Sequence, residues 1–345
     1  RWRSLMQLFG KELTKRQVAA YVGDFTQVAG VERFTYDEGV EGGIKAARVR
    51  SGGGLDFTVM YSRGMDISAA TYNGMPFAWV SSTGWGHPHA FVPEGRGWLQ
   101  TFHGGLLTGC GLANAGAANV DGDESLGIHG KLSHIPAAET GAWTDWEDED
   151  EATVYVEGTM REATVFGDNL RLRRVISTPI GKSSLTITDT VHNAGFKTSP
   201  LMLLYHLNFG WPLLSEDTVL RLPDGTETSP RDAVAASGIA DARSFMAPIS
   251  GYAEQCFYHE MPQGDVTAEL YNQRLRFGVK ISWNTRELPH FTQWKMTGEG
   301  EYVCGIEPGT CKVLGRAAER EAGRLMTIEP GEYRRHRVTI TAFTD

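Results

Sequence analysis

Short runs in which apolar and polar residues alternate, broken by glycine, aspartate and asparagine, make up most of the chain. Val154-Tyr155-Val156-Glu157 and Leu170-Arg171-Leu172-Arg173-Arg174-Val175 repeat with a period of two, the pattern of a strand with one buried face. The same texture predicts strands at Ala46–Arg50, Asp56–Tyr61, Ala152–Thr159, Leu170–Ser177, Ser184–Val191, Leu201–Phe209, Thr267–Tyr271, Arg276–Trp283, Thr292–Met296 and Glu332–Phe343. A helical pattern occurs only near the start, at residues 11–22, with Thr14 as N-cap and Gly23 as the stop. The expected class is all-β, a large antiparallel β-sandwich or barrel with a short N-terminal helix. No Pro/Ser-rich hinge or shift in composition divides the chain. It reads as a single domain over 1–345, with 1–25 as a helical extension.

Composition narrows the partners. The net charge of -9 argues against nucleic acid and against an anionic membrane surface, both of which call for a basic face. The four cysteines form no CxxC pair, so a reducing, cytoplasmic compartment is expected, and no apolar run has the length of a membrane span. The acidic run 145–151 lacks the spaced oxygen ligands and turn glycine of a calcium loop and reads as a solvated hairpin.

Three polar features interrupt this β texture. Gly127-Ile128-His129-Gly130-Lys131 holds a histidine among glycines. In Leu203-Leu204-Tyr205-His206-Leu207-Asn208-Phe209 an apolar strand carries His206 and Asn208 two residues apart, hence on one face. In Val303-Cys304-Gly305-Ile306-Glu307-Pro308 a carboxylate ends an apolar strand. Each alone fits a structural residue, and two histidines with a glutamate also have the ligand types of a metal site, although no HxH or HxxxH spacing supports one. Converging on one face, they make an acid/base set able to titrate near neutrality.

These stretches, together with Tyr61-Ser62-Arg63-Gly64-Met65-Asp66-Ile67 and Gly104-Gly105-Leu106-Leu107-Thr108-Gly109-Cys110-Gly111-Leu112, resemble the aldose 1-epimerase (galactose mutarotase-like) superfamily, and in their order its DUF4432 branch. The resemblance implies a β-sandwich whose concave face holds a small-molecule sugar, and chemistry that moves only protons and needs no cofactor and no metal. It implies that His206 protonates the ring oxygen, that an ionised Glu307 removes the anomeric proton, and that His129 hydrogen-bonds the ring oxygen or a neighbouring hydroxyl. A carboxylate beside His206 would raise its pKa as this requires. Trp294 is the expected aromatic platform, with Gln293 or Lys295 as a hydroxyl contact. The chain departs from the mutarotase pattern at Leu207 and Phe209, and it offers no residue-by-residue match for the arginine and aspartate with which galactose mutarotases hold their sugar. Arg63, Asp66 and His103 are the candidate replacements, and Asn208 belongs either at the sugar or in the bond that orients His206. The same set could epimerise or β-eliminate a keto-sugar, or serve a sugar-binding module without turnover. Which sugar, and how many subunits, the residues leave open.

Overall fold

The computed structural model describes residues 5–147 and 151–345. All the strand pairs within its sheets are antiparallel. An eight-stranded sheet runs, in spatial order, Ala138–Trp146, Ala152–Ala163, Asn169–Pro179, Ser184–Asn193, Tyr333–Thr344, Phe277–Asn284, Asp265–Asn272 and Thr218–Arg221. A six-stranded sheet runs Glu227–Pro230, Gln255–Glu260, His290–Gly298, Glu301–Gly309, Met202–Gly210 and Thr108–Leu112. A five-stranded sheet lies between Gly30 and Pro76. The longest described helix, Arg316–Glu321, has six residues, and no described helix is long and apolar enough to cross a membrane.

One apolar cluster joins the three sheets. Leu172, Ile187, Val338 and Ile340 come from the eight-stranded sheet, Leu203, Tyr205, Leu207, Phe209 and Ile306 from the six-stranded one, and Val59 and Ile67 from the third. Inside it lies a charged group that the alternation does not announce. Asp189, on Ser184–Asn193, takes Arg174 Nε and Nη2 at 2.9 and 2.7 Å and the Tyr205 hydroxyl at 2.9 Å, all without solvent contact. Arg174 Nη1 reaches the Gly64 carbonyl at 3.2 Å. A desolvated pair is tolerated only when its remaining donors and acceptors are filled, and here the filling ties all three sheets together.

Every strand read from the period-two pattern is present, several extended by a few residues. Strands without a clean period escape that reading. Ala138–Trp146 is an edge strand half-exposed on both faces, and Gln255–Glu260 is buried on both. The N-terminal helix is shorter than its pattern. Thr14 is the N-cap, accepting from Gln17 N–H at 3.2 Å within a capping box, but the helix is only Lys15–Ala19 and ends before Gly23. Lys11–Leu13 is instead a strand paired with Met6–Leu8. Phe9 and Gly10 have φ of 52° and 76°, the backbone of a two-residue hairpin turn, so the chain doubles back and no helix can begin before Thr14. The acidic run joins Ala138–Trp146 to its antiparallel partner Ala152–Ala163, with Glu147 N–H bonded to Glu151 O at 3.1 Å; residues 148–150 lie outside the described residues.

Candidate active site

The strand Met202–Gly210 is buried throughout, and its alternation separates two tasks. Leu203, Tyr205, Leu207 and Phe209 enter the main core. Met202 and Leu204 face the other way, into a second cluster with Trp98, Phe102, Tyr258 and Val313, and His206 and Asn208 continue that face. The register with Glu301–Gly309 pairs Leu207 with Ile306, so His206 stands across the ladder from Glu307. His206 Nε2 and Glu307 Oε1 are 3.3 Å apart. On its other side Glu307 is paired with Thr292, and both Glu307 Oε1 and Thr292 Oγ1 are buried without a hydrogen-bond partner. The His–Glu contact is therefore an ion-pair distance outside hydrogen-bond alignment, which leaves the carboxyl oxygen available to a ligand.

Gly305 makes this placement possible. It shares a face with Glu307, and a Cβ built there would lie 2.6 Å from Glu307 Oε1 and 3.0 Å from Trp294 Cβ. Gly305→Ala should therefore displace the carboxyl while the sheet persists. The expected result is a turnover loss of about 10-fold or more with little change in melting temperature, measured on a matched pair of proteins, since ångström-scale misplacement of a reacting group has effects on that scale.

His129 is held at φ 55° by a loop that needs its glycines. A Cβ at Gly127 would meet Pro93 O at 1.9 Å, and one at Gly130 would meet Asn114 O at 2.2 Å. His129 Nδ1 accepts from the Gly116 N–H at 3.3 Å, which makes Nε2–H the free donor of the neutral ring. The ring centroid lies 5.4 Å from that of His206 and 4.7 Å from Trp98. His129, His206 and Glu307 together line one cavity of about 350 Å³, walled by Trp98, Phe102 and Trp294. Trp294 meets the His206 ring edge-on at 5.4 Å, and its indole N–H donates to Glu254 Oε2 at 2.8 Å.

Asn208 shares the face of His206, and its Oδ1 lies 2.6 Å from His206 Nδ1. Asn208 Nδ2 faces the carbonyls of Gly104, Gly105 and His206 at 3.2, 3.1 and 2.9 Å, so the amide oxygen must be the atom turned to the ring. The imidazole then donates from Nδ1 and, when neutral, presents a bare Nε2 to Glu307. Charge states in the unliganded site differ from the sequence expectation of an ionised glutamate beside a protonated histidine. Burial pushes the Glu307 carboxyl up to about 8, helped by the nearby Glu254. Burial likewise lowers His206 to about 4, against the opposing bond from Asn208, and holds His129 neutral. Desolvation outweighs the mutual attraction that would have ionised the pair.

Five expected sugar contacts lie elsewhere. Arg63 is fully buried and spends its guanidinium on the carbonyls of Gly86, Thr101 and Ser133 and on the Ser133 hydroxyl, stapling three loops. Asp66 accepts from Gly109 N–H, the Ser133 hydroxyl and His103 Nε2, and neither it nor His103 reaches the cavity. Gln293 and Lys295 flank Trp294 in a strand, so alternation turns them to the opposite face. Gln293 bonds His259 and the Ala242 carbonyl, and Lys295 bonds the carbonyls of Asp241 and Ser244. The cavity instead receives its arginine and carboxylate from Arg96, Arg231 and Glu254, with Arg231 Nη2 at 3.5 Å from Glu254 Oε1. Arg96 had a local signal, a charged residue between Gly95 and Gly97 that parallels His129 among its glycines. Arg231 and Glu254 had none.

Relatives share the architecture. A candidate aldose 1-epimerase from Klebsiella pneumoniae subsp. pneumoniae MGH 78578 superposes with a TM-score of 0.87 at 24% identity, over 96% of this chain and 87% of that one. A galactose mutarotase-like protein from Clostridium acetobutylicum gives 0.62 at 14%, over 92% and 100% of the two chains. A galactose 1-epimerase from Lactobacillus acidophilus NCFM gives 0.59 at 12%, over 92% and 99%. The fold is that of the galactose mutarotase-like β-sandwich proteins. No curated protein matches the sequence. The family model described as "Domain of unknown function (DUF4432)" matches residues 41–342, and the chain belongs to that family.

Proposed function

We propose that the protein is a cofactor-independent carbohydrate isomerase of the aldose 1-epimerase type, interconverting the anomers of a free aldose. The observation that carries this reading is the His206–Glu307 pair, buried and set 3.3 Å apart on the floor of an aromatic-walled cavity. The aldose 1-epimerase and mutarotase names carried by proteins of the same fold support it. Ring opening needs one group to take the proton from the anomeric hydroxyl and another to give one to the ring oxygen. A pair that holds a single proton can do both and be restored on closure. Sugar hydroxyls donating to Glu307 favour the carboxylate, and the proton then resides on His206 Nε2, the atom that gives it to the ring oxygen. Glu307 accepts the anomeric proton, the C1–C2 bond rotates in the open aldehyde, and the hydroxyl adds back to the other carbonyl face. His129 Nε2–H steadies an oxygen of the substrate, and Trp294 packs against the apolar face of the ring.

The test is anomer relaxation of a panel of aldoses, followed by polarimetry or exchange NMR. Acceleration that disappears in His206→Gln supports the reading, and no acceleration over a broad panel rejects it. The one-proton form of the pair spans the interval between its two titrations. The kcat/KM profile should accordingly be flat between limbs near pH 4 and pH 8, falling outside them. A profile with a single limb near 6.5 would show that a solvent-exposed histidine governs the rate instead. Trp294→Ala should raise KM about 10-fold while leaving kcat within a few-fold, because stacking acts on the bound sugar in both ground and transition states.

A further inference from the structure

Asp66 and His103 are both fully buried, neither touches the cavity, and the proton transfers described above do not use them. Their arrangement is more than packing requires. Asp66 collects three donors: Gly109 N–H at 2.8 Å, the Ser133 hydroxyl at 2.6 Å and His103 Nε2 at 3.0 Å. His103 thereby commits its ring proton to Nε2 and leaves Nδ1 buried without a partner, a cost that an apolar residue at this position would avoid.

The consequence falls on the two residues that follow. Gly104 and Gly105 both have φ of 70°, a turn that places their carbonyls side by side. Thr108 donates to the Gly104 carbonyl at 2.6 Å. At Gly105 a Cβ would lie 2.9 Å from the His103 ring, so the ring bears directly on the turn. The turn is held at one end by His103 and at the other by Gly109, both through Asp66. Its two carbonyls are two of the three acceptors that face Asn208 Nδ2, at 3.2 and 3.1 Å, the third being the His206 carbonyl at 2.9 Å. An Asn amide can turn over, and each orientation selects a different ring tautomer in a neutral histidine bonded to it. With oxygen toward the ring, His206 is protonated on Nδ1. With nitrogen toward the ring, His206 must accept on Nδ1 and carry its proton on Nε2.

We propose that Asp66 and His103 are positioning residues for His206: they set the Gly104–Gly105 carbonyls, these orient the Asn208 amide, and the amide holds the imidazole in its Nδ1–H tautomer. The bare Nε2 that results is the atom facing Glu307, so one proton can pass between the two groups without a ring flip. The inference rests on the acid/base reading of His206 for its importance, but the tautomer can be measured without any substrate.

The experiment is a long-range proton–nitrogen NMR spectrum of the full chain labelled with ¹⁵N-histidine, with His206 assigned by its loss in His206→Gln. In the unaltered protein near pH 7, His206 should show a protonated Nδ1 and a bare Nε2. His103→Leu and Asp66→Asn should give a mixture of tautomers at His206, as should Asn208→Ala, whereas His103→Gln, which keeps a donor toward Asp66, should restore most of the original signal. With a turned-over sugar in hand, the first two variants should lower kcat by about 10- to 100-fold while KM stays within about threefold, the scale on which residues behind a reacting group act. If both variants unfold, Thr108→Val removes the hydroxyl that holds the Gly104 carbonyl while preserving volume, and should shift the tautomer in the same direction. An Nε2–H tautomer in the unaltered protein, or an unmoved Nδ1–H signal in a folded His103→Leu or Thr108→Val protein, overturns the proposal. Absence of turnover on every sugar, with the tautomer responding as stated, would count against the isomerase reading and not against this one.

Discussion

Glu307→Gln should slow anomer interconversion by about 10²–10⁴-fold, the range over which a positioned general base acts, and should at the same time make the protein harder to unfold at neutral pH. The two effects have one origin. Glu307 is buried, one of its oxygens has no partner, and its carboxyl holds its proton up to about 8. Below its ordinary value near 4.5 the group is protonated both folded and unfolded and has no effect on stability. As pH rises from there, the unfolded chain ionises while the folded one keeps its proton, so stability falls until the folded group also ionises near pH 8. Glutamine has no such titration, and its amide can donate to the bare Nε2 of His206. The gain should amount to about 1–3 kcal/mol near pH 7 and shrink toward pH 4.5. Calorimetric melting across that interval, beside polarimetry on the same preparation, checks both halves. Full activity in Glu307→Gln would remove the carboxyl from the mechanism, and a lower melting temperature would show that the buried acid is better satisfied than its unpartnered oxygen indicates.

The second large effect is structural. Asp189→Ala should destabilise the fold by about 3–5 kcal/mol, because it leaves Arg174 charged and unpaired at 0% side-chain exposure and strips the Tyr205 hydroxyl of its acceptor. Replacing the pair together, Arg174→Met with Asp189→Leu, should recover most of that loss, since the desolvation cost of both charges disappears with them. Denaturant unfolding of the single and double variants measures the difference. A loss below about 1 kcal/mol for Asp189→Ala would mean that water reaches the pair when it is broken.

How far the sequence reaches depends on the range of the physics involved. Period-two runs are local, and they gave the class and most of the central strands. The doubly buried Gln255–Glu260 and the half-exposed Ala138–Trp146 have no period to detect. For the site, His206, Asn208, Glu307 and His129 stood out because each is a polar residue in a locally unsuitable place, and the cavity brings His206, His129 and Glu307 together. Arg63, Asp66 and His103 come in through the resemblance, as replacements for the arginine and aspartate of galactose mutarotases, yet they satisfy loops behind the cavity. A buried polar residue advertises a need for partners, and only the three-dimensional arrangement says whether the partner is protein or ligand. Gln293 and Lys295 could have been set aside from the sequence alone, because neighbours of Trp294 in a strand cannot share its face. Arg231 and Glu254 reach the cavity from separate segments, which no local pattern encodes.

The placement of His206 opposite Glu307 on neighbouring strands also bears on how this protein can diversify. Their separation is set by the spacing of a hydrogen-bonded ladder, which is anchored on the core by Leu207 and Ile306 and tolerates no gradual adjustment. Arg96, Arg231 and Glu254 have no such constraint, since they stand outside the regular strands. If the isomerase reading holds, the His206–Glu307 floor is the part of the site that the sheet fixes, and a change of sugar is most readily met by substitution around the mouth, outside the regular strands.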